Sequence, residues 1–362
     1  MTTKDPIDEA DEESFPASDA PTFSSAHAGP PADRALHVLI DLPPASADVV
    51  RFRKALARFD GRVALTFAAA SGDDFARALP DADVVVAQNL SDDELARAPR
   101  LRWLSSVAAG LDGLVTPALL ARGVALTSAS GVHGPNIAEH LLAMILMFTR
   151  GIPGLFRAQL ARRWDRKIPS RSGAFSELTG QTLLIVGLGR IGEALAARAR
   201  PFGVHLVAVK HNLSARHDTG VAVDELLPIG ALDEALGRAD HICVTVPLTP
   251  ETHHLIDARR LARMRASAYI YNVSRGAVLD EAALVAALRA GKLAGAGLDV
   301  FDEEPLPATS PLWDLDNVIL TPHVAGVTPL YYERTAVLFA ENLDRFLAGQ
   351  PLANRFDPTR GY

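Results

Sequence analysis

The sequence has little of what would tie it to an oxidising compartment, a metal, a membrane or a nucleic acid. It has one cysteine, Cys243, in an apolar stretch. A single thiol cannot close an internal disulfide, and no Cys/His cluster at zinc spacing accompanies it. The expectation is no metal and a reducing cytoplasm. The first residues lack the basic-then-apolar order of a signal peptide. The most apolar stretch, Ile137–Phe148, carries Glu139 and His140 and is too short to span a bilayer. It reads as a buried core helix. Lys and Arg number 36 against 43 Asp and Glu, and they form no basic run. No nucleic acid and no membrane surface is expected as a partner.

The formal charge of −7 is unevenly spread. Residues 1–34 hold Asp5, Asp8, Glu9, Asp11, Glu12, Glu13, Asp19 and Asp33 against Lys4 and Arg34. With Pro, Ser and Ala and no apolar period, this segment reads as a disordered acidic tail. The remainder is near neutral, and its 362-residue total suits two or more domains. From Ala35 short apolar runs alternate with helical stretches. The strand-like runs are Leu36–Leu42, Val63–Phe67, Val84–Ala87, Leu101–Val107 and Val124–Ser128. A long helix over Pro135–Arg150 follows. Thr182–Val186 opens a second series, continued by Val204–Val209, His241–Val246, Tyr269–Val273, Gly295–Asp299 and Val318–Thr321. An amphipathic helix over Pro329–Ala348 closes the pattern. Alternation of this kind predicts an α/β fold with parallel sheets covered on both faces.

Gly187-Leu188-Gly189-Arg190-Ile191-Gly192 follows the strand Thr182–Val186 directly and opens a helix. That context gives the G-x-G-x-x-G pattern its meaning. Gly187 permits the tight turn, Gly189 lets a pyrophosphate approach the backbone, and Gly192 lets helix and strand pack closely. Free N–H groups and the helix dipole would meet the phosphate charge. NAD sites place an acid at the end of the second strand, on the ribose hydroxyls. Here that strand ends at Lys210, with His211 and Arg216 close by. A lysine attracts a 2′-phosphate that a carboxylate would repel. NADP is favoured over NAD, with NAD left open.

The second half resembles the D-isomer-specific 2-hydroxyacid dehydrogenase family, which includes glyoxylate and hydroxypyruvate reductases. The resemblance covers about residues 84–352. It rests on Ile137-Ala138-Glu139-His140, the Gly187 turn and Val246-Pro247-Leu248-Thr249-Pro250-Glu251-Thr252. Asn272-Val273-Ser274-Arg275-Gly276, Asp299-Val300-Phe301-Asp302-Glu303-Glu304-Pro305 and Thr321-Pro322-His323 complete it. It implies a catalytic set of Arg275 on the substrate carboxylate and keto oxygen, His323 as general acid/base, and Glu304 as its partner. Glu303 is a rival for Glu304 that only the Glu-Pro step decides. Cofactor contacts are implied at Arg190, Ile191, Pro247, Val273, Ser274, Arg275, Asp299 and His323, with Asp299 at the nicotinamide amide. Ala109 and Gly110 resemble the loop whose N–H groups hold the substrate carboxylate.

The chemistry calls for these residue types. Hydride attack on a ketone builds charge on oxygen, a protonated histidine delivers the proton near neutral pH, and a carboxylate beside it favours the imidazolium. A guanidinium fork matches a two-oxygen target. The resemblance also implies two doubly wound parallel-sheet domains. A flavodoxin-like substrate domain (residues 35–134 and 326–362) would carry an inserted Rossmann nucleotide domain (135–325). It further implies a homodimer, for which the Ile137–Phe148 helix would serve. Two other readings share the fold: a non-catalytic, nucleotide-sensing corepressor-like relative, and a formate or phosphite dehydrogenase. The intact Arg275, Glu304 and His323 set argues against the first, and Glu304 in place of the formate enzymes' glutamine against the second.

Overall fold

A computed structural model describes residues 34–111, 113–166, 175–211, 213 and 221–358. The expected acidic tail, apart from Arg34, and Arg216 lie outside the described residues.

The first sheet holds β1 (Leu36–Asp41), β2 (Val63–Ala68), β3 (Val84–Ala87), β4 (Trp103–Ser106) and β5 (Ala125–Thr127), in the order β2-β1-β3-β4-β5. All its pairings are parallel. The second holds β6 (Thr182–Val186), β7 (His205–Lys210), β8 (Glu225–Pro228), β9 (His241–Val244), β10 (Tyr269–Asn272), β11 (Gly295–Leu298) and β12 (Val318–Leu320). Its order is β12-β11-β10-β9-β6-β7-β8, again all parallel. These are the flavodoxin-like and Rossmann-like doubly wound orders, so the expected fold class holds. Central strands such as Val84–Ala87 and His241–Val244 are buried throughout because helices cover both faces.

The expected strands appear with ends shifted by a residue or two. β8 and the helix Ile152–Leu160 were not anticipated. β8 is an edge strand with alternating half-exposed positions, so it lacks the apolar run that marks the inner strands.

Two helices carry the chain between the sheets. Gly134–Thr149 leaves the first sheet and buries Leu141, Ile145 and Phe148 in one core with Leu183 and Ile185 of β6. Tyr331–Leu347 returns and sets Phe339 and Phe346 against Trp103 of β4, with ring centroids 5.1 and 5.4 Å apart. Each such fully buried side chain contributes on the order of 1.5–3 kcal/mol. The Gly134–Thr149 helix thus places one face in its own core. The exposed apolar residues Ile152, Phe156 and Leu160 lie on the following helix, with Trp164 (92% exposed) beyond it. Among the described residues no single helix is long and apolar enough to cross a membrane.

Candidate active site

At the end of β6 the chain turns through Gly187, whose φ of +103° suits glycine alone. Its N–H donates to the Val209 carbonyl of β7. A Cβ on Gly192 would lie 2.5 Å from the Gly187 oxygen, so the helix Arg190–Ala199 packs onto the turn only because that residue is glycine. A Cβ on Gly189 would meet nothing within 4 Å, which leaves open space beside the backbone. The first-turn N–H groups of Arg190, Ile191 and Gly192 have no intrahelical acceptor. Open space over unpaired donors at a helix N-terminus fits a pyrophosphate.

Three loops at the same edge carry the expected reactive side chains. After β10, Asn272 folds the chain back. Its Oδ1 accepts from the Ser274 N–H (3.1 Å) and hydroxyl (2.8 Å), and its Nδ2 donates to the Arg275 carbonyl (2.9 Å). A Cβ on Gly276 would lie 2.0 Å from the Phe301 carbonyl, so the Arg275 loop rests directly on the backbone after β11. On that second loop Glu304 Oε1 accepts from the Phe301 N–H (3.0 Å), and Oε2 lies 2.7 Å from His323 Nδ1. Glu303 is exposed and makes no such contact, so the geometry places Glu304 against the histidine.

His323 follows β12 with φ +53°, a left-handed conformation that costs a non-glycine residue about 1–3 kcal/mol. Asp299, at the end of β11 and 1% exposed, holds it there. The Asp299 carbonyl accepts from the His323 N–H (2.8 Å), and its carboxylate accepts from the N–H groups of Val324 (3.0 Å) and Ala325 (2.9 Å). The Thr321 hydroxyl donates to the same carboxylate (2.5 Å) and in turn contacts His140 Nε2 (3.0 Å). His140 and Thr321, present in two of the sequence motifs, thus brace the histidine loop from behind.

These loops face the first sheet across a cleft of ≈1120 Å³. Ala109, Gly110, Gly189, Arg190, Ile191, Pro247, Val273, Ser274, Arg275, Asp299 and His323 line it; Gly187, Gly192, Lys210 and Glu304 do not. Lys210 is the half-buried last residue of β7. The N–H groups of Ala109 and Gly110 have no partner among the described residues. Sequence reasoning missed His133 and Tyr331, which also line the cleft. Their rings stack at 5.0 Å, and the Tyr331 hydroxyl donates to the Val107 carbonyl at the foot of the Ala109 loop. His133 directly precedes the Gly134–Thr149 helix, a place where nothing but a structure pairs it with residue 331. Among the described residues no cluster of His, Cys, Asp or Glu could hold a metal ion.

The cleft therefore combines a dinucleotide-sized turn, an imidazole with Nδ1 on a carboxylate, a guanidinium and unpaired N–H groups. That set suits proton-coupled reduction of a carbonyl beside a carboxylate.

Known proteins show which family the chain resembles. A family model described as D-isomer specific 2-hydroxyacid dehydrogenase, NAD binding domain, matches residues 142–325. A glyoxylate reductase from Thermofilum pendens is 38% identical over 253 residues, covering 70% of this chain and 74% of that protein. A D-3-phosphoglycerate dehydrogenase from Mycobacterium tuberculosis is 37% identical over 281 residues, 77% of this chain. The chain spans about half the length of that relative (52%). A crystal structure of a D-isomer specific 2-hydroxyacid dehydrogenase from Xanthobacter autotrophicus Py2, in complex with NADPH and MES, has a TM-score of 0.73 and 31% identity. The match covers 91% of this chain and 100% of that one. The chain belongs to the D-isomer-specific 2-hydroxyacid dehydrogenase family and is an NAD(P)-dependent enzyme.

Proposed function

We propose that this dehydrogenase interconverts small 2-oxo acids and D-2-hydroxy acids, with His323 as proton donor and acceptor, Glu304 as its partner and Arg275 as substrate anchor. The 2.7 Å contact between Glu304 Oε2 and His323 Nδ1, at the edge of a cleft that Arg275 also lines, carries the reading.

The nicotinamide cofactor, when bound, supplies or takes the hydride at the carbonyl carbon. The protein does the rest. Gly187, Gly189 and Gly192 shape the phosphate turn, and the N–H groups of Arg190 and Ile191 meet the charge. Pro247, Val273, Ser274 and Asp299 border the nicotinamide end. The N–H groups of Ala109 and Gly110, with the Arg275 fork, hold the carboxylate. Arg275 also lowers the cost of charge developing on the keto oxygen. With Nδ1 engaged by Glu304, Nε2 of His323 is the nitrogen that gives the proton. The Glu304 carboxylate fixes the tautomer and direction of the ring through Nδ1.

We assign NADPH as the preferred cofactor, because Lys210 stands where NAD sites carry an acid. The NADPH in the Xanthobacter structure supports that choice. We divide the chain into residues 35–134 with 326–362 and residues 135–325, a reading supported by each sheet drawing its strands from one part alone. We read the exposed Ile152, Phe156, Leu160 and Trp164, four residues apart, as a homodimer surface. The single buried Cys243 suits the cytoplasm.

The test is a reductase assay of the purified chain with NADPH and NADH across glyoxylate, hydroxypyruvate, pyruvate and phenylpyruvate. Turnover of at least one acid is expected. Nucleotide binding without turnover of any of them would overturn the proposal in favour of a sensing relative.

A further inference from the structure

Where the chain crosses between the sheets, two side chains meet behind the cleft. Asn136 stands in the first turn of the Gly134–Thr149 helix, and Arg334 in the first turn of Tyr331–Leu347. Both are half-buried, and neither lines the cleft. Asn136 Nδ2 donates to the Ala325 carbonyl (2.7 Å), and its Oδ1 accepts from Arg334 Nη1 (3.1 Å). The same Nη1 donates to the Val132 carbonyl (2.9 Å). A guanidinium only donates and a carbonyl only accepts, so the Asn136 amide has one workable orientation. Turned over, it would set oxygen against oxygen and N–H against N–H.

Ala325 carries the contact into the site. It is 4% exposed and stands two residues past His323. Its N–H donates to Asp299 Oδ2 (2.9 Å), and the Asp299 carbonyl accepts from the His323 N–H (2.8 Å). A continuous path thus runs from Arg334 through Asn136 and Ala325 to Asp299, which holds His323. The helix bearing Arg334 packs on Trp103 of β4 through Phe339 and Phe346. The path therefore starts on the first-sheet wall, which also carries Ala109 and Gly110, and ends on the wall that carries His323.

From this geometry we propose that Asn136 is a positioning residue for proton transfer, oriented by Arg334, which fixes the His323 loop relative to the first-sheet wall. It touches neither substrate nor cofactor and acts through Ala325 and Asp299. The proposal rests on the 2-oxo acid reading above and adds to it what sets the proton donor against the bound acid. A proton donor displaced by a fraction of its bond length loses rate. The carboxylate contacts assigned to Ala109, Gly110 and Arg275 lie off the path. Breaking the path therefore lowers kcat and spares the KM for the acid.

The experiment is a double-mutant cycle read on kcat. It uses NADPH and the acid that the wild type turns over fastest among glyoxylate, hydroxypyruvate, pyruvate and phenylpyruvate. Asn136→Leu and Arg334→Met should each lower kcat about 5- to 10-fold. The double variant should be no slower than the slower single, because both substitutions break one path. KM for the acid should stay within about twofold throughout. Asn136→Asp keeps the volume and the contact with Arg334 but has no N–H for Ala325, so it should lose kcat as the Leu variant does. Losses that multiply in the double variant would make the two side chains independent props and overturn the proposal. So would an unchanged kcat in Asn136→Asp, or a KM that rises while kcat holds. A wild type that turns over none of the four acids would bring down the reductase reading, and this proposal with it.

Discussion

The seven-stranded sheet carries a histidine at each end, and the two rings are held in opposite ways. At the carboxyl end His323 is half exposed, with Nδ1 on the Glu304 carboxylate and no partner for Nε2 among the described residues. At the amino end His241, the first residue of β9, is 1% exposed. Its Nε2 donates to Gln181 Oε1 (2.7 Å), and its Nδ1 accepts from the Tyr271 hydroxyl (3.0 Å). Burial pulls the His241 pKa down to about 4, with Asp240 opposing only in part. A ring saturated by neutral partners in a dry core is a packing element. A ring with one charged partner and one open nitrogen suits the proton carrier proposed above. Residue type does not separate the two; the second nitrogen does.

The largest expected effect breaks the reactive end. His323→Ala should lower turnover on the order of 10²–10⁴-fold while NADPH binding, followed by fluorescence titration, persists. Near-normal turnover would move the proton donor elsewhere. Next comes its neighbour in the cleft. Arg275→Lys keeps the charge but loses the fork, and kcat/KM with a 2-oxo acid should fall on the order of 10²-fold. Unchanged kinetics would make Arg275 structural.

The silent end is sharpened by pH. The folded His241 pKa lies below the ordinary 6.5, so the unfolded chain binds the extra proton between those values. Stability is fully present above pH 6.5 and is lost as pH falls from there through about 4. The loss amounts to about 3 kcal/mol. His241→Gln should flatten that segment in urea unfolding measured from pH 7 to pH 4. A wild-type profile no steeper than the variant's would remove His241 from the account. The smallest effect is at β7: Lys210→Asp should shift the ratio of efficiencies with NADPH and NADH about tenfold toward NADH. No shift would mean that Lys210 does not reach the cofactor.

What was legible in the sequence follows the same divide. The inner strands of both sheets are short and almost wholly apolar, so Thr182–Val186 and Val84–Ala87 stand at their expected residues. The half-exposed edge strand Glu225–Pro228 carries no such mark. Arg275, Glu304 and His323 sit in compact local motifs whose neighbours, Asn272, Gly276 and Thr321, build the loops themselves. In the first-sheet wall Ala109 and Gly110 were legible, but the pairing of His133 with Tyr331 was not, because the two meet only after the chain has crossed between the sheets twice. The apolar character of Ile137–Phe148 was visible, but not which surface consumed it; β6 and the Arg190–Ala199 helix do.

Gly276 bears on how such an enzyme can change. With the Phe301 carbonyl 2.0 Å from where its Cβ would stand, the arginine and glutamate loops are cast against each other. Neither can gain a residue or swing outward without displacing its neighbour, and the glutamate holds the histidine in turn. The reactive edge behaves as one inherited block, tolerant of almost no piecemeal drift. The opposite wall, including the Ala109 loop and the Tyr331–Leu347 helix, stands on the first sheet. New substrates should therefore be acquired by trading that wall, as a lathe keeps its spindle and changes its chuck.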